Sequence, residues 1–310
     1  MKVALIVIGR LENRYAKEFV EYYKYIGFDH IFIIDNNYDG EEHFEEVLQS
    51  YIDDQFITII DYRNKCGEGW NKSIQVISYI DTYEKIKNDY DWIFFCDFDE
   101  FLMLKEDNNI KDYLSRECFK DANQILINWK IYTDNDLVYD DGRPCLERFT
   151  KQMPIYKCIE YDYPENKHVK PIIRGGLSDL LIYTPHNFYN WLLRCTTYNN
   201  SGYHFDGIDV INGVININYD LAYVRHFTTK TIDEWINNKC NRGTADRKKT
   251  DFNATYPILR FFKYNEITPE KLNYLKERGF DISNINKELI KNFRVWCDVE
   301  YINKINFEKQ

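Results

Sequence analysis

The stretch Tyr90-Asp91-Trp92-Ile93-Phe94-Phe95-Cys96-Asp97-Phe98-Asp99-Glu100-Phe101-Leu102 decides the fold class of this chain. Its centre, Trp92–Cys96, is an unbroken apolar run of strand length, the pattern of a strand covered on both faces in a parallel sheet. The run stops at three acids, Asp97, Asp99 and Glu100. Unpaired carboxylates are costly to bury, so these belong at the carboxyl end of the strand, in solvent or against a cation. In open α/β sheets that edge is where ligands bind. Asp97 and Asp99 flank one apolar residue; in extended backbone both would face one way and share a hard divalent ion, Mg²⁺ or Mn²⁺. An Asp-x-Asp turn is also common without any ligand, so the remainder of the chain has to support the functional reading.

Upstream, strands alternate with helices. Val3–Gly9 is a continuous apolar run ending at glycine, and Tyr15, Phe19, Tyr22 and Ile26 then recur at helical spacing up to Gly27, a natural helix stop. His30–Ile34 is a second strand, closed by the turn-forming Asp35-Asn36-Asn37-Tyr38-Asp39-Gly40. Phe56–Ile60 is a third, running into Asp61-Tyr62-Arg63-Asn64, and Trp70, Ile74, Ile77 and Ile80 or Tyr83 mark a second helix. This alternation predicts an α/β fold with a doubly wound, mainly parallel sheet. Neither a Gly-x-Gly-x-x-Gly nor a Gly-x-x-x-x-Gly-Lys-Ser/Thr motif follows the first strand.

Downstream the alternation weakens. Gln124–Tyr132 is a strand ending in Thr133-Asp134-Asn135-Asp136, and residues 141–225 are rich in Tyr, Pro, Gly, Asn and His, with short strands at best. Long irregular stretches in a compact domain are usually functional, and acceptor recognition is placed there. Tyr223–Phe227 is a short strand, and Ile232, Trp235, Ile236 and Lys239 mark a helix leading to Asn241-Arg242-Gly243-Thr244-Ala245-Asp246. Thr268-Pro269 opens a late helix that Gly279 closes.

Composition narrows the function classes. The 310 residues are 44% hydrophobic and 29% charged, which suits a globular core, with 26 Tyr and 20 Phe available for core and sugar contacts. A formal charge of −10 argues against nucleic acid and against broad docking on an anionic membrane. No stretch approaches the ~18 apolar residues of a membrane span, so any membrane contact is peripheral. The N-terminus has too short an apolar stretch for a signal peptide. The eight cysteines are scattered with no Cys-x-x-Cys pair, as expected of reduced thiols in a cytoplasmic protein.

Taken together, the segments Gly9–Tyr15, Asp35–Gly40, Asp91–Phe101, Trp129–Asn135 and His226–Lys230 with Arg242–Asp246 resemble bacterial-type glycosyltransferases of family 2, with a GT-A fold. The Asp97-Phe98-Asp99-Glu100-Phe101 block is the most specific of these. The family's first motif usually reads Lys-Asn-Glu, and this chain has Arg10-Leu11-Glu12-Asn13 instead. The resemblance implies transfer of a sugar from a nucleotide-sugar donor, usually a UDP-sugar, to a glycan or lipid-linked acceptor, as in polysaccharide biosynthesis. It implies a GT-A domain over residues 1–250, with a nucleotide-binding half (1–104) and an acceptor-side half (105–250), followed by a C-terminal helical extension (251–310). Asp99 would be the direct ligand of Mn²⁺ or Mg²⁺, with Asp97 at the ribose or a metal-bound water. His226 would be a third protein ligand or a structural imidazole. Asp35 and Asp39 would face uracil and ribose, and Arg63 is placed with them at the nucleotide. Lys230 and Arg242 would clamp phosphates as point charge and fork. The family inverts the anomeric carbon, which requires a carboxylate base; Asp134 is the first choice, Asp246 the second and Asp206 the third.

Two other readings compete. A sugar-phosphate nucleotidyltransferase also uses an α/β sheet and acidic metal ligands, but normally has a glycine-rich basic loop where this chain has Gly9-Arg10-Leu11-Glu12-Asn13. A non-catalytic carbohydrate-binding protein of glycosyltransferase descent would suit the Tyr- and Trp-rich middle, but would have no use for intact acids at the metal edge.

Overall fold

The computed structural model describes residues 1–66, 73–153, 165–205, 215–240, 255–283, 285–286 and 290. The first half is the expected alternation: β1 (Val3–Gly9), α1 (Asn13–Tyr25), β2 (His30–Asp35), α2 (Glu45–Asp53), β3 (Ile57–Asp61), α3 (Ile74–Ile86) and β4 (Trp92–Asp97). β1 lies between β2 and β4, all parallel, and β3 pairs parallel with the far side of β2. Strand pleat then divides the core. Val3, Leu5 and Val7 point to the face covered by α1 and α2, against Phe19, Tyr23 and Leu48. Ala4 and Ile6 point to the other, against Tyr79, Tyr83 and Ile86 of α3. This is why β1 and β4 are apolar at every position and not at alternate ones. Each fully buried large apolar side chain contributes ~1.5–3 kcal/mol.

α1 ends as its sequence requires: Gly27 has φ +92°, and its amide donates to Lys24 O at 3.2 Å. Trp70 of the expected second-helix pattern lies outside the described residues, and that helix, α3 in the structure, starts at Ile74.

Beyond β4 the sheet becomes mixed. β5 (Glu100–Leu104), α4 (Ile110–Leu114), β6 (Gln124–Ile131), β7 (Val169–Arg174), β8 (Leu181–Thr184), β9 (Asn187–Tyr189), β10 (Thr197–Asn199), β11 (His204–Phe205) and β12 (Ala222–His226) follow. β7 inserts between β4 and β6, antiparallel to both. The sequence conceals this strand because Lys170 and Pro171 interrupt its apolar run. The ladder to β4 stops at Ile172, one residue short of Pro171, so the missing proline N–H leaves no gap in that ladder. β12 pairs antiparallel with β5 and parallel with β6.

The late helices, Thr255–Tyr264 and Pro269–Glu277, share a cluster with Ile232, Trp235 and Ile236, built on Phe261, Phe262, Tyr274 and Leu275. Thr268 caps the second of these, accepting from the Lys271 amide, with Pro269 in its first turn. No helix among the described residues is long and apolar enough to cross a membrane.

Candidate active site

The parallel register brings the polar strand ends to one edge. Ile8 is opposite Asp97, Gly9 opposite Asp35, and Asp35 opposite Asp61. A cavity of about 330 Å³ opens there. One wall is the β1 loop with Gly9, Arg10 and Glu12; the floor is Asp97, Phe98 and Asp99; the opposite wall carries Trp129, His186 and His226. The last side comes from Trp235, Lys239, Pro257 and Arg260. Pro257 and Arg260, from the helix Thr255–Tyr264 within the 251–310 extension, thus form part of the cavity wall.

Close packing sets the floor. Phe98 stacks on Phe44 with centroids 5.2 Å apart. A Cβ on Gly9 would stand 2.5 Å from the Phe98 ring and 2.9 Å from Phe44, so only glycine lets β1 pass. Two buried tyrosines tie the helices to this edge. Tyr23 Oη donates to Glu100 O (2.9 Å) and accepts from the Leu102 amide (3.1 Å), and Tyr79 Oη donates to Cys96 O (2.9 Å).

The three acids do not act as the extended Asp-x-Asp would. The chain turns at Phe98-Asp99, which sends the two aspartates to different partners. Asp97 accepts from Gln75 Nε2 (2.7 Å) and Lys170 Nζ (2.8 Å). Asp99 is buried and accepts from Lys239 Nζ (2.5 Å), while His226 Nε2 stands 3.6 Å from its other oxygen. Burial pushes the Asp99 carboxyl up, but Lys239, His226 and Lys230 outweigh this and hold it well below the usual carboxylate range.

Glu100, wholly buried, is pushed well above its range by burial, against the pull of Lys170 at 3.3 Å. Its Oε1 accepts no hydrogen bond among the described residues. His226 arrives because β12 pairs with β5 in the register His226–Glu100, and its imidazole packs on Trp129 at 4.3 Å. Burial lowers its pKa against the opposing pull of Asp99, which keeps it a neutral ligand-type imidazole.

Asp99, Glu100 and His226 thus bring one ligating atom each, all within 4.8 Å of one another. Two carboxylate oxygens and one imidazole nitrogen are a donor set that could hold a divalent ion. The donor-less Glu100 Oε1 is the orphaned atom such an ion would satisfy. Asp97 stands outside this cluster, and Glu100 stands in it.

The other expected site residues are dispersed. Asp35 is buried beside the cavity, accepting from Asn37 and from Arg63 Nη1 (2.9 Å). Arg63 also donates to Glu42 O and Tyr38 O, so its guanidinium holds the β2–α2 loop together and does not reach for a phosphate. Asp39 pairs with Asn64 on the surface. Lys230 is buried over the Tyr15 ring at 4.0 Å, behind the cavity, in a left-handed backbone conformation (φ 53°).

Asp134 does not line the cavity. It is 1% exposed and pairs with Lys271 Nζ at 2.6 Å, with its amide donating to Asn265 Oδ1. Asp206, Arg242 and Asp246 lie outside the described residues. Lys170, Lys239 and Gln75 are the site groups that sequence reasoning missed. A lone lysine inside the apolar strand Val169–Arg174 was the available signal for Lys170; Lys239 was visible only as a helix position.

The comparisons bear on this geometry. Among solved structures the chain is similar to S. aureus TarS, at 12% identity over 93% of this chain and 46% of that one, with a TM-score of 0.37. The same protein's residues 1–349 in complex with UDP give 13% identity, 93% and 77% coverage and a TM-score of 0.37. A cytidylyltransferase from Leptospira borgpetersenii gives 10% identity, 96% and 99% coverage and a TM-score of 0.31. The chain spans about half the length of the full TarS chain. Likenesses this distant carry no functional argument. No curated protein matches the chain. The family model of glycosyltransferase family 92 matches residues 14–240, where the sequence segments resembled family 2. That match runs from α1 through β12 to Cys240 and takes in Asp97, Asp99, Glu100, Lys170, His226 and Lys239; the chain belongs to glycosyltransferase family 92.

Proposed function

We propose that this glycosyltransferase moves a sugar from a UDP-sugar to a hydroxyl of a glycan or lipid-linked acceptor, with inversion, using Mn²⁺ or Mg²⁺ at Asp99, Glu100 and His226. The observation that carries the reading is the meeting of those three groups at the carboxyl edge of the sheet, with Asp99 and His226 lining the cavity of about 330 Å³ and Glu100 buried beside them. Bound there, the ion would supply counter-charge to the diphosphate leaving group.

The chain's own groups divide the remaining work. Lys170, wholly buried, fixes Asp97 and Glu100 in place from behind. On the β1–β2 side, Glu12 and the Asn36 side-chain oxygen offer acceptor groups to the nucleoside, while the Asn36 amide nitrogen donates to Tyr62 O and Lys65 O. Trp129 presents an apolar face to the cavity, with an Nε1–H that has no acceptor among the described residues, a pairing suited to the C–H face and a hydroxyl of a sugar. With Asp134 held by Lys271, the base role falls to Asp246.

Incubation with a panel of UDP-sugars and Mn²⁺ tests the reading. UDP should be released with at least one donor, and the product should have the opposite anomeric configuration by NMR. Asp99→Asn should abolish metal-dependent UDP binding while leaving thermal unfolding near wild type. Pyrophosphate from UTP and a sugar phosphate would show a nucleotidyltransferase instead, and glycan binding without turnover on any donor would show a lectin-like protein.

A further inference from the structure

Asp99 has two suitors. Lys239 Nζ lies 2.5 Å from Asp99 Oδ2, on the same carboxylate that a divalent ion at Asp99, Glu100 and His226 would use. An ammonium and a dication cannot both sit at bonding distance from one carboxylate without strong mutual repulsion, least of all in a buried site where screening is weak.

The two lysines at this edge differ in what they can do about it. Lys170 is wholly buried and clasped between Asp97 and Glu100, so it is part of the scaffold. The Lys239 side chain is one-quarter exposed and lines the cavity itself. It comes from the last turn of the π-helical segment Trp235–Cys240, a wide-turned geometry found mostly at functional sites. Trp235 anchors that segment at its start, its Nε1 donating to Pro257 O at 2.9 Å. The backbone is thus held while the four-carbon stem of Lys239 remains able to swing within the cavity.

We propose that Lys239 is a resident counter-ion of Asp99 that is exchanged for the divalent ion when donor arrives. In the unliganded protein it neutralises Asp99 and blocks metal capture. When donor and metal enter together, the ion takes Asp99 and Lys239 turns to the diphosphate, where its charge is again compensated. Metal and nucleotide then bind cooperatively: neither displaces Lys239 well alone. Stray divalent ions do not load the free enzyme, and donor does not bind productively without metal. The inference rests on the metal reading of this site given above.

Mn²⁺ binding to the full chain, followed by the loss of free-ion EPR signal, tests it apart from activity. Wild type should bind Mn²⁺ weakly alone and at least tenfold more tightly with saturating UDP. Lys239→Gln should bind Mn²⁺ alone at least tenfold more tightly than wild type, with most of the UDP-dependent gain lost and UDP affinity in Mn²⁺ reduced. Lys239→Arg, which keeps the charge and controls for folding, should keep the weak metal-alone binding. Equal Mn²⁺ affinity of wild type and Lys239→Gln without nucleotide, alongside UDP-dependent Mn²⁺ binding in wild type, would overturn the exchange and leave the metal site standing. Absence of Mn²⁺ binding in every variant with and without UDP would overturn both.

Discussion

At the scale of single residues, Gly9 and Asp134 play a steric role at the site and an electrostatic role away from it. Gly9 is required by space: with Phe98 2.5 Å from any added Cβ, Gly9→Ala must push the Phe98 ring off Phe44. Overpacking of this kind costs ~1–3 kcal/mol. Because Phe98 separates Asp97 from Asp99, the variant should lose UDP affinity as well as thermal stability; wild-type values of both would refute this account. Asp134 is the contrary case. Its carboxylate neutralises a wholly buried Lys271, so Asp134→Asn should cost stability and not chemistry. Breaking a buried pair from one side costs ~3–5 kcal/mol, and here the loss should fall at the low end because Asp136 remains 3.5 Å from Lys271. Metal-dependent UDP binding by the folded protein should be unchanged. Asp246→Asn, by contrast, should spare UDP binding and stability while lowering turnover by roughly 10²–10⁴-fold, the usual contribution of a general base. Stopped assays with the two variants side by side would assign the base or show that neither residue supplies it.

At the scale of elements, the helical segment that delivers Trp235 and Lys239 is held at its start by a buried polar network. Thr231 and Glu234 form a reciprocal cap: the Thr231 side chain accepts from the Glu234 amide, and the Glu234 carboxylate accepts from the Thr231 amide. Glu234 also accepts from Tyr15 Oη (2.7 Å) and from both terminal nitrogens of the buried Arg148 (2.9 Å each). Burial raises its pKa, but Arg148 and Lys230 outweigh this and bring it down from 4.5 to about 2. A carboxyl depressed in the folded state stabilises the protein above its unfolded pKa and loses that contribution as pH falls through the folded value. Glu234 should therefore contribute on the order of 3 kcal/mol at neutral pH, and the contribution should drain away between pH 4.5 and about 2. Denaturation of wild type and Glu234→Gln across that range gives the check: the gap between them should be widest near pH 7 and close toward pH 2. A gap that does not change with pH would mean that the network contributes by shape alone.

At the scale of the molecule, the cavity is assembled from both ends of the described chain. Gly9 and Arg10 line it together with Pro257 and Arg260, and the helix bearing the latter pair also carries Phe261, which is wholly buried. Phe261→Ala should cost ~3–5 kcal/mol, and it should also weaken UDP binding although Phe261 does not line the cavity. Binding that survives at wild-type affinity in the folded variant would show that the C-terminal helices are an independent appendage.

What the sequence by itself determined is local and periodic. The strands Val3–Gly9 and Gln124–Ile131, the stop at Gly27, the cap at Thr268 and the acidic edge after Cys96 all follow from runs, spacings and turn residues within a few positions of each other. What only the tertiary structure decided is which distant side chains complete that edge. His226 was legible as a candidate because it ends an apolar strand, yet its place beside Glu100 is set by the antiparallel register of β12 on β5, which no local pattern encodes. Lys170 reaches Asp97 and Glu100 because β7 threads between β4 and β6, and Lys239 reaches Asp99 from 140 positions along the chain. In the sequence Asp134 reads as a candidate base because, like Asp97, it is a carboxylate after an apolar strand. Its partner, Lys271, is more than a hundred residues away in sequence, and the low dielectric of the interior ties the two together wherever packing brings them. Asp99 and Asp134 are both buried and both paired with a lysine, and only the assembled chain decides that Asp99 lines the cavity and Asp134 does not.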